Sequence, residues 1–578
     1  MSDPPSMPAA VLFPNRWMSA WVGASVGWVA AAVLTLFVAT GACTAQPSAL
    51  PAAPPHPGID VQHYAFDLSL ADTTNRIQGR ATVRLRVRAD TLSAVRLDLL
   101  APEAVRGGPP GAGMRVVRAR ERHPDGSLHA VRVRQSPGHV HLQADTLRKG
   151  QTRTFVLRYA GVPADGLIIG TNRHGDRTFF GDNWPNRARH WLPVVDHLSD
   201  KATAAFRVTA PSRYRVVSNG ALVSDSTTGA SRVTHWKTTV PLPPKVMIIG
   251  VADFAVETAG TVDGVPVQSW VYPQDRAAGF DDLGQAPAIV RFFERKIAPY
   301  PYPKLANVQS ATRYGGMENA SAIFYSEKAV ADGRDSEELL AHEIAHQWFG
   351  NTVTEADWPH LWLSEGVATY LTGLWLEETS GADRLRQYMR QARERVRAFA
   401  RQRPDAPLVD TTYRTPMELL TPNAYQKGAW VLHMLRRTVG TQPFWTGLRT
   451  YYERYRHGNA STADFRAVME EVTGRDLTRF FEQWTRRPGH PVLQVEWSRD
   501  ADAGTCTARL EQVQESPPFA IDVDLQVQPD ADARPVRHTV EMSGRTKTER
   551  FACPDAATDL QVDPGVDLLA EWSVERRP

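Results

Sequence analysis

A chain of 578 residues is too long for a single hydrophobic core, so three or four folded units are expected. Its 42% hydrophobic and 22% charged residues are those of an ordinary globular protein. A net charge of +3, with no lysine-rich tail and no aromatic-plus-basic pattern, argues against nucleic acid as a partner.

From Trp17 to Gln46 the chain carries no charge, and Arg16 precedes it. The run "WVGASVGWVAAAVLTLFVATGAC" predicts an export signal or membrane anchor, long enough to cross a bilayer. Three modes are open: an anchor through residues 17–45, a lipoprotein modified at Cys43, and cleavage near Ala42 or Ala45. Gly41 and Ala42 suit the lipoprotein, although Thr40 stands where Leu or Val is usual. A periplasmic or cell-surface protein follows. Five prolines between Gln46 and Gly58 make a semi-rigid tether, so residues 1–57 are read as an export segment and linker.

Period-two alternation then begins. Tyr64, Phe66, Leu68 and Leu70 share one face, and Val83, Leu85 and Val87 alternate with Arg84, Arg86 and Arg88. One wet face predicts antiparallel sheets, and Asn219-Gly220 predicts a hairpin turn. Residues 58–255 are therefore expected to form an all-β domain.

From about residue 280 the period becomes helical, which defines a second unit over 256–487. "APAIVRFFERKI" is amphipathic. "SEELLAHEIAHQWFG" is expected to start at Asp335 as N-cap, with Glu338 completing a capping box, and to stop at Gly350. A further helix is expected over Ser364–Thr379. In "RLRQYMRQARERVRAFARQR" the stripe Leu385, Met389, Ala392, Val396 and Phe399 faces inward and the arginines form a solvated face. Residues 488–578 return to alternation and predict a small β-sandwich. Cys506 and Cys553 are read either as one disulfide in an oxidising compartment or as two buried thiols.

The chemistry lies in "LLAHEIAHQWFGNTVTEADWPHLWLSEGVATYL". Residues i and i+4 share a helix face, so His342 and His346 can place two imidazole nitrogens on one ion. Zinc accepts nitrogen at about 2.0–2.1 Å and, in catalytic sites, three protein ligands plus water. Glu343 is turned by about 100° from His342, the place of a general base beside that water. A third ligand is still needed. Glu365, after eighteen intervening residues and opening a second helix, supplies a carboxylate. Upstream, "YGGMENAS" puts two glycines, which permit close backbone approach, beside Glu318.

These motifs, with "LWLSEG", "GNTVT", "RARHWLPVVDHLSDKA" and "AYQKGAWVLHML", resemble the M1 zinc aminopeptidases, gluzincins of the aminopeptidase N and leukotriene hydrolase type. The resemblance spans nearly the whole chain after the tether. It implies a multidomain α+β fold: an N-terminal antiparallel β saddle, a thermolysin-like α/β catalytic domain and a C-terminal β-sandwich. The large C-terminal helical domain common in the family is not expected. It implies one zinc ion per chain, held by His342, His346 and Glu365, with Glu343 as base. Gly315, Gly316, Met317, Glu318 and Asn319 would bind substrate, Glu318 taking the free α-amine. Tyr425 would stabilise the oxyanion. The implied substrates are peptides with a free N-terminus.

One position departs from that pattern. Many members carry Gln or Glu five residues before an arginine as a second amine anchor; counting back from Arg189 gives Trp184, whose indole donates a hydrogen bond and accepts none. Asp182 is a substitute to consider. Two other readings compete with the aminopeptidase: a thermolysin-like endopeptidase, and an inactive peptidase fold that only binds. The sequence carries no signal for an oligomeric state.

Overall fold

The computed structural model describes residues 58–105, 109–528, 535–553 and 557–578. The expected export segment, its tether and Cys43 lie outside the described residues. Among the described residues no helix is long and apolar enough to cross a membrane.

The chain is multidomain α+β, with a strand-rich N-terminal region and a helical catalytic region. An eight-stranded sheet dominates the first. Its strand Ile59–Ser69 pairs antiparallel with Ile77–Val87, and the alternation holds: Tyr64, Phe66, Leu68, Val83, Leu85 and Val87 are buried while Arg84 and Arg86 face water. Antiparallel sheets were expected, but this one is mixed. Ile59–Ser69 also runs parallel to Thr203–Pro211. Parallel neighbours need a long crossover, and here the chain forms most of two further sheets before it returns.

The hairpin expected at Asn219-Gly220 does not form. Arg215–Ser218 pairs with Ile249–Ala252, whereas Ala221–Thr228 pairs with Ser231–Lys237 in a different sheet. Gly220 has φ +80°, so it still makes a sharp bend. Asn219 is almost fully buried. Its amide donates to Val246 O (2.8 Å) and Ala320 O (2.7 Å), and its Oδ1 accepts from the Ile248 N–H (2.7 Å). Gly220 N–H donates to Ser321 Oγ. The dipeptide thus joins the strand-rich region to the segment immediately after GGMEN.

The catalytic region opens on a five-stranded sheet that includes Val265–Val271, Leu305–Ser310 and Ala322–Ser326. Its edge is the two-residue strand Gly316–Met317, where Gly316 opposes Tyr325 and Met317 opposes Phe324. Helices Ala286–Lys296 and Glu337–Ala345 pack beside it, and Trp362–Ser380 packs against Glu337–Ala345, Ala382–Gln402 and Gly428–Val439. On Ala382–Gln402 Leu385, Met389, Ala392 and Val396 of the expected stripe are buried, while Phe399 at its end is half-buried. Its arginines are not all solvated, however. Arg393 is buried and donates to Asp563 Oδ2 at 2.8 Å, and Arg397 donates to Glu571 Oε2 at 3.0 Å. A buried guanidinium needs such a partner, and the pairs fasten this helix to the C-terminal strands.

Those strands make a four-stranded sheet containing Val492–Asp500, Thr505–Gln512, Thr546–Ala552 and Glu571–Arg576, and a three-stranded sheet of Ile521–Gln528, Val536–Met542 and Asp559–Val562. Cys506 and Cys553 are disulfide-bonded, with Cα atoms 5.1 Å apart.

Candidate active site

The helix Glu337–Ala345 carries the first two candidate ligands. Its start differs slightly from expectation. Asp335 Oδ1 accepts from the Glu337 N–H, but Ser336 occupies the cap position, and Glu338 pairs with Arg384 instead of closing a capping box. The next helix begins at Trp362, two residues before the expected Ser364. Asp357 accepts the Trp358 N–H at the turn that leads into it. Glu365 therefore lies in its first turn, where the helix dipole favours a carboxylate.

The two helices bring three donor atoms together. His342 Nε2 is 3.1 Å from His346 Nε2, and Glu365 Oε2 is 3.4 Å and 3.3 Å from the two nitrogens. Among the described residues this trio is the one His/Cys/Asp/Glu group close enough to share an ion. Donors on a tetrahedron with bonds of about 2.0–2.1 Å lie about 3.3–3.4 Å apart. The donor set, two imidazoles and one carboxylate, therefore fits zinc in both type and spacing. His346 Nδ1 donates to Phe349 O at 3.0 Å, with Ser364 Oγ at 3.2 Å, which leaves Nε2 as the nitrogen facing Glu365 and His342. Gly350 is required here. A Cβ on it would lie 2.3 Å from Ser364 Oγ and 2.9 Å from His346 Nδ1.

Without an ion, the cluster polarises itself. Burial would lower the pKa of His346, but the Glu365 carboxylate outweighs it and pushes the imidazole up to about 9. Burial would raise Glu365, yet His346 and then His342 hold it well below the ordinary carboxylate range. Burial dominates at His342 and lowers it.

Glu343 is buried beside this cluster. Burial raises its carboxyl well above the usual range, with His346 pulling the other way. Gly316 lies directly against it: a Cβ there would come within 2.3 Å of Glu343 Oε1. The glycine is needed for close approach and not for an unusual φ. Gly316→Ala is expected to push Glu343 aside and lower kcat about 10²-fold with zinc content unchanged. Steady-state kinetics alongside metal analysis check this.

Gly315, Gly316, Met317 and Glu318 line one wall of a cleft of about 590 Å³, which also contains Trp184, Tyr314, His342, Glu343, His346, Glu365, Leu420 and Tyr425. Asn319 does not join them. It is fully buried, and its N–H turns back to Met317 O at 2.8 Å. The Glu318 carbonyl is gripped by two amides from the segment after the histidines, Gln347 Nε2 at 3.1 Å and Asn351 Nδ2 at 2.5 Å. The segment that follows the histidine helix thus also positions GGMEN, a link that the separate motifs do not display.

Tyr425 reaches the cleft through tight packing. It sits in the π-turn Asn423–Lys427, where Lys427 N–H bonds five residues back to Pro422 O. Gly366, next to Glu365, packs against Gly428; a Cβ on it would lie 2.7 Å from Gly428 Cα. Beside that approach the Tyr425 ring stacks toward His342, 23° from parallel and with centroids 6.0 Å apart. Burial raises the phenol pKa, and Glu365, Glu318 and Glu343 raise it further, so it stays protonated and able to donate.

Trp184 lies in the cleft wall, edge-on to Tyr314 and Trp358, and its Nε1–H has no hydrogen-bond partner. Asp182 is fully buried and accepts from Arg187 at 2.9 Å, so it is not a free amine acceptor.

Comparison with known proteins agrees with this geometry. Residues 60–244 match the Peptidase M1 N-terminal domain, and residues 282–484 match the Peptidase family M1 domain. Aminopeptidase M1-A of Oryza sativa subsp. japonica is 30% identical over 327 residues, 54% of this chain and 37% of that protein. Glutamyl aminopeptidase of Sus scrofa is 28% identical over 331 residues, 54% of this chain and 35% of that protein. The chain thus spans little more than a third of the length of these curated relatives. The crystal structure of an M1 zinc metallopeptidase mutant from Deinococcus radiodurans, bound to a Tyr-Ser-Ala substrate, has a TM-score of 0.63 at 27% identity. It covers 75% of this chain and 95% of that one. Two family models in succession, over the strand-rich region and over the helices that carry the cleft, establish that the chain belongs to peptidase family M1.

Proposed function

We propose that the chain is an exported zinc-dependent aminopeptidase, which removes the first residue from peptides with a free N-terminus. The observation that carries this reading is the placing of Glu318 in the same cleft as Glu343 and the His342–His346–Glu365 cluster. A buried carboxylate there favours a ligand with an ammonium and disfavours a mid-chain peptide. The D. radiodurans relative, with its bound tripeptide, supports the substrate class. The charge-free stretch before residue 47 supports export, with membrane attachment through residues 17–45 as one mode. We read the fold as an export segment and tether over 1–57, a β saddle over 58–255, a thermolysin-like unit over 256–487 and a β-sandwich over 488–578.

His342, His346 and Glu365 would hold one zinc ion, which when bound supplies Lewis acidity to polarise a carbonyl and acidify water. Glu318 accepts the substrate ammonium and so sets which amide bond reaches the cluster. Gly315 and Gly316 bring backbone close to the peptide. Glu343 takes a proton from the attacking water and returns it to the leaving amine as the C–N bond breaks. Tyr425, kept as a neutral phenol, donates to the oxygen that gains charge on the attacked carbonyl. Tyr425→Phe is accordingly expected to reduce kcat about 10²–10³-fold with little change in KM, read from steady-state kinetics.

The reading is tested with aminoacyl amides and a matched pair of peptides, one free and one N-acetylated, with and without a zinc chelator. Cleavage of the free peptide alone, lost on chelation, is the expected result. Equal cleavage of both peptides would refute it in favour of an endopeptidase. No cleavage by zinc-loaded protein would point to a binding protein.

A further inference from the structure

Lys245 lies in the short turn Pro244–Val246 of the N-terminal region and is 2% exposed. A buried ammonium needs a partner, because desolvation otherwise costs several kcal/mol. It has two. Its Nζ donates to Glu355 Oε1 at 2.8 Å and lies 3.9 Å from Glu318 Oε1. Glu318 Oε1 is buried and accepts no hydrogen bond, and neither does Glu355 Oε2. One cation from the strand-rich region therefore stands between two carboxylates of the catalytic region. Glu318 lines the cleft and Lys245 does not, so the ammonium meets that carboxylate from its buried side.

The surroundings make this contact matter. The acids lining the cleft are Glu318, Glu343 and Glu365; Glu365 belongs to the candidate metal cluster, and Glu343 lies beside it. Buried carboxylates this close repel one another and suppress each other's charge unless a cation is near. Neither Trp184, which has only an N–H, nor Asp182, which is paired with Arg187, offers Glu318 a second acceptor. We propose that Lys245 is a positioning residue for the substrate amine: held by Glu355, it draws Glu318 Oε1 to the buried side and offsets repulsion from the neighbouring carboxylates, so that Glu318 presents a fixed, charged acceptor for one ammonium. This inference rests on Glu318 being the amine acceptor. It gives the N-terminal region an electrostatic part in amine binding without placing an acceptor in the cleft.

The test compares wild type with Lys245→Met and with Lys245→Met/Glu355→Gln. The double variant removes both members of the Lys245–Glu355 pair together, and Lys201, the other ammonium facing Glu355, keeps its backbone acceptors on Asn351, Thr352 and Gly458, so the variant remains informative if the single one does not fold. KM and kcat on an aminoacyl amide, inhibition constants for the free amino acid and its N-acetyl form, and zinc content are measured. In both variants KM and the inhibition constant of the free amino acid should rise about tenfold or more. The change in kcat should be smaller, and zinc content and the N-acetyl constant should be unaltered. A folded, zinc-loaded double variant with wild-type KM would overturn the proposal, since Lys245 would then serve only to balance Glu355. Wild type that fails to discriminate free from acetylated substrate would instead refute the role of Glu318 itself.

Discussion

Glu343→Gln is expected to lower kcat about 10³-fold or more while KM and stoichiometric zinc stay near wild type. Gln has the size of Glu but cannot take a proton, and Glu343 is not one of the three converging donors. The structure gives reason to expect a clean effect. The carboxyl is buried in the cleft wall, so close to Gly316 that a Cβ there would collide with it. Elemental analysis with single-turnover kinetics measures the outcome. Loss of zinc in this variant, or activity within tenfold of wild type, would remove Glu343 from the role of base.

Glu365→Gln should act on the metal instead. The carboxylate lies within 3.4 Å of both imidazole nitrogens, and replacing it should weaken zinc binding more than about a hundredfold, with activity falling in parallel. Proton release supplies an independent readout. In metal-free protein at pH 7 the His346 imidazole, pushed up to about 9, is protonated, whereas a metal ligand must be neutral. Zinc uptake at pH 7 should therefore release about one proton, and affinity should increase with pH until the imidazole is neutral without metal. In Glu365→Gln the largest attraction that raises His346 is gone, only the weaker pulls of Glu318 and Glu343 oppose burial, and this release should fall. Calorimetry in two buffers of different ionisation heat measures it. Proton release equal to wild type in the variant would contradict the ion-pair account of the cluster.

Much of the chemistry could be read along the chain. His342, Glu343 and His346 belong to one helix, whose 3.6-residue period alone sets their relative directions. Glu365 was accessible for a similar reason, because a short connection leads to the next helix. The alternation of Tyr64, Phe66 and Leu68, or of Val83, Leu85 and Val87, likewise reports a local property, the two faces of a strand. Tyr425 was singled out by resemblance to known peptidases; by its own surroundings in the sequence it is one aromatic among many.

Other features depend on packing between segments far apart in the chain. Asn219-Gly220 has the composition of a hairpin turn, yet its side chain and backbone bond to Ala320 and Ser321, and that tertiary demand overrides the local preference. Gly366 packs against Gly428, and beside that contact Tyr425 faces His342. Gln347 and Asn351 clamp Glu318, and Lys245 reaches it across the boundary between regions. Residue type and spacing were enough to propose a candidate ligand set and a candidate base, because helix geometry converts sequence interval directly into direction. The surroundings of the amine acceptor needed the folded chain. Nothing in the interval between positions 245, 318 and 355 encodes their distance, which is set by close packing of the strand-rich region on the helices.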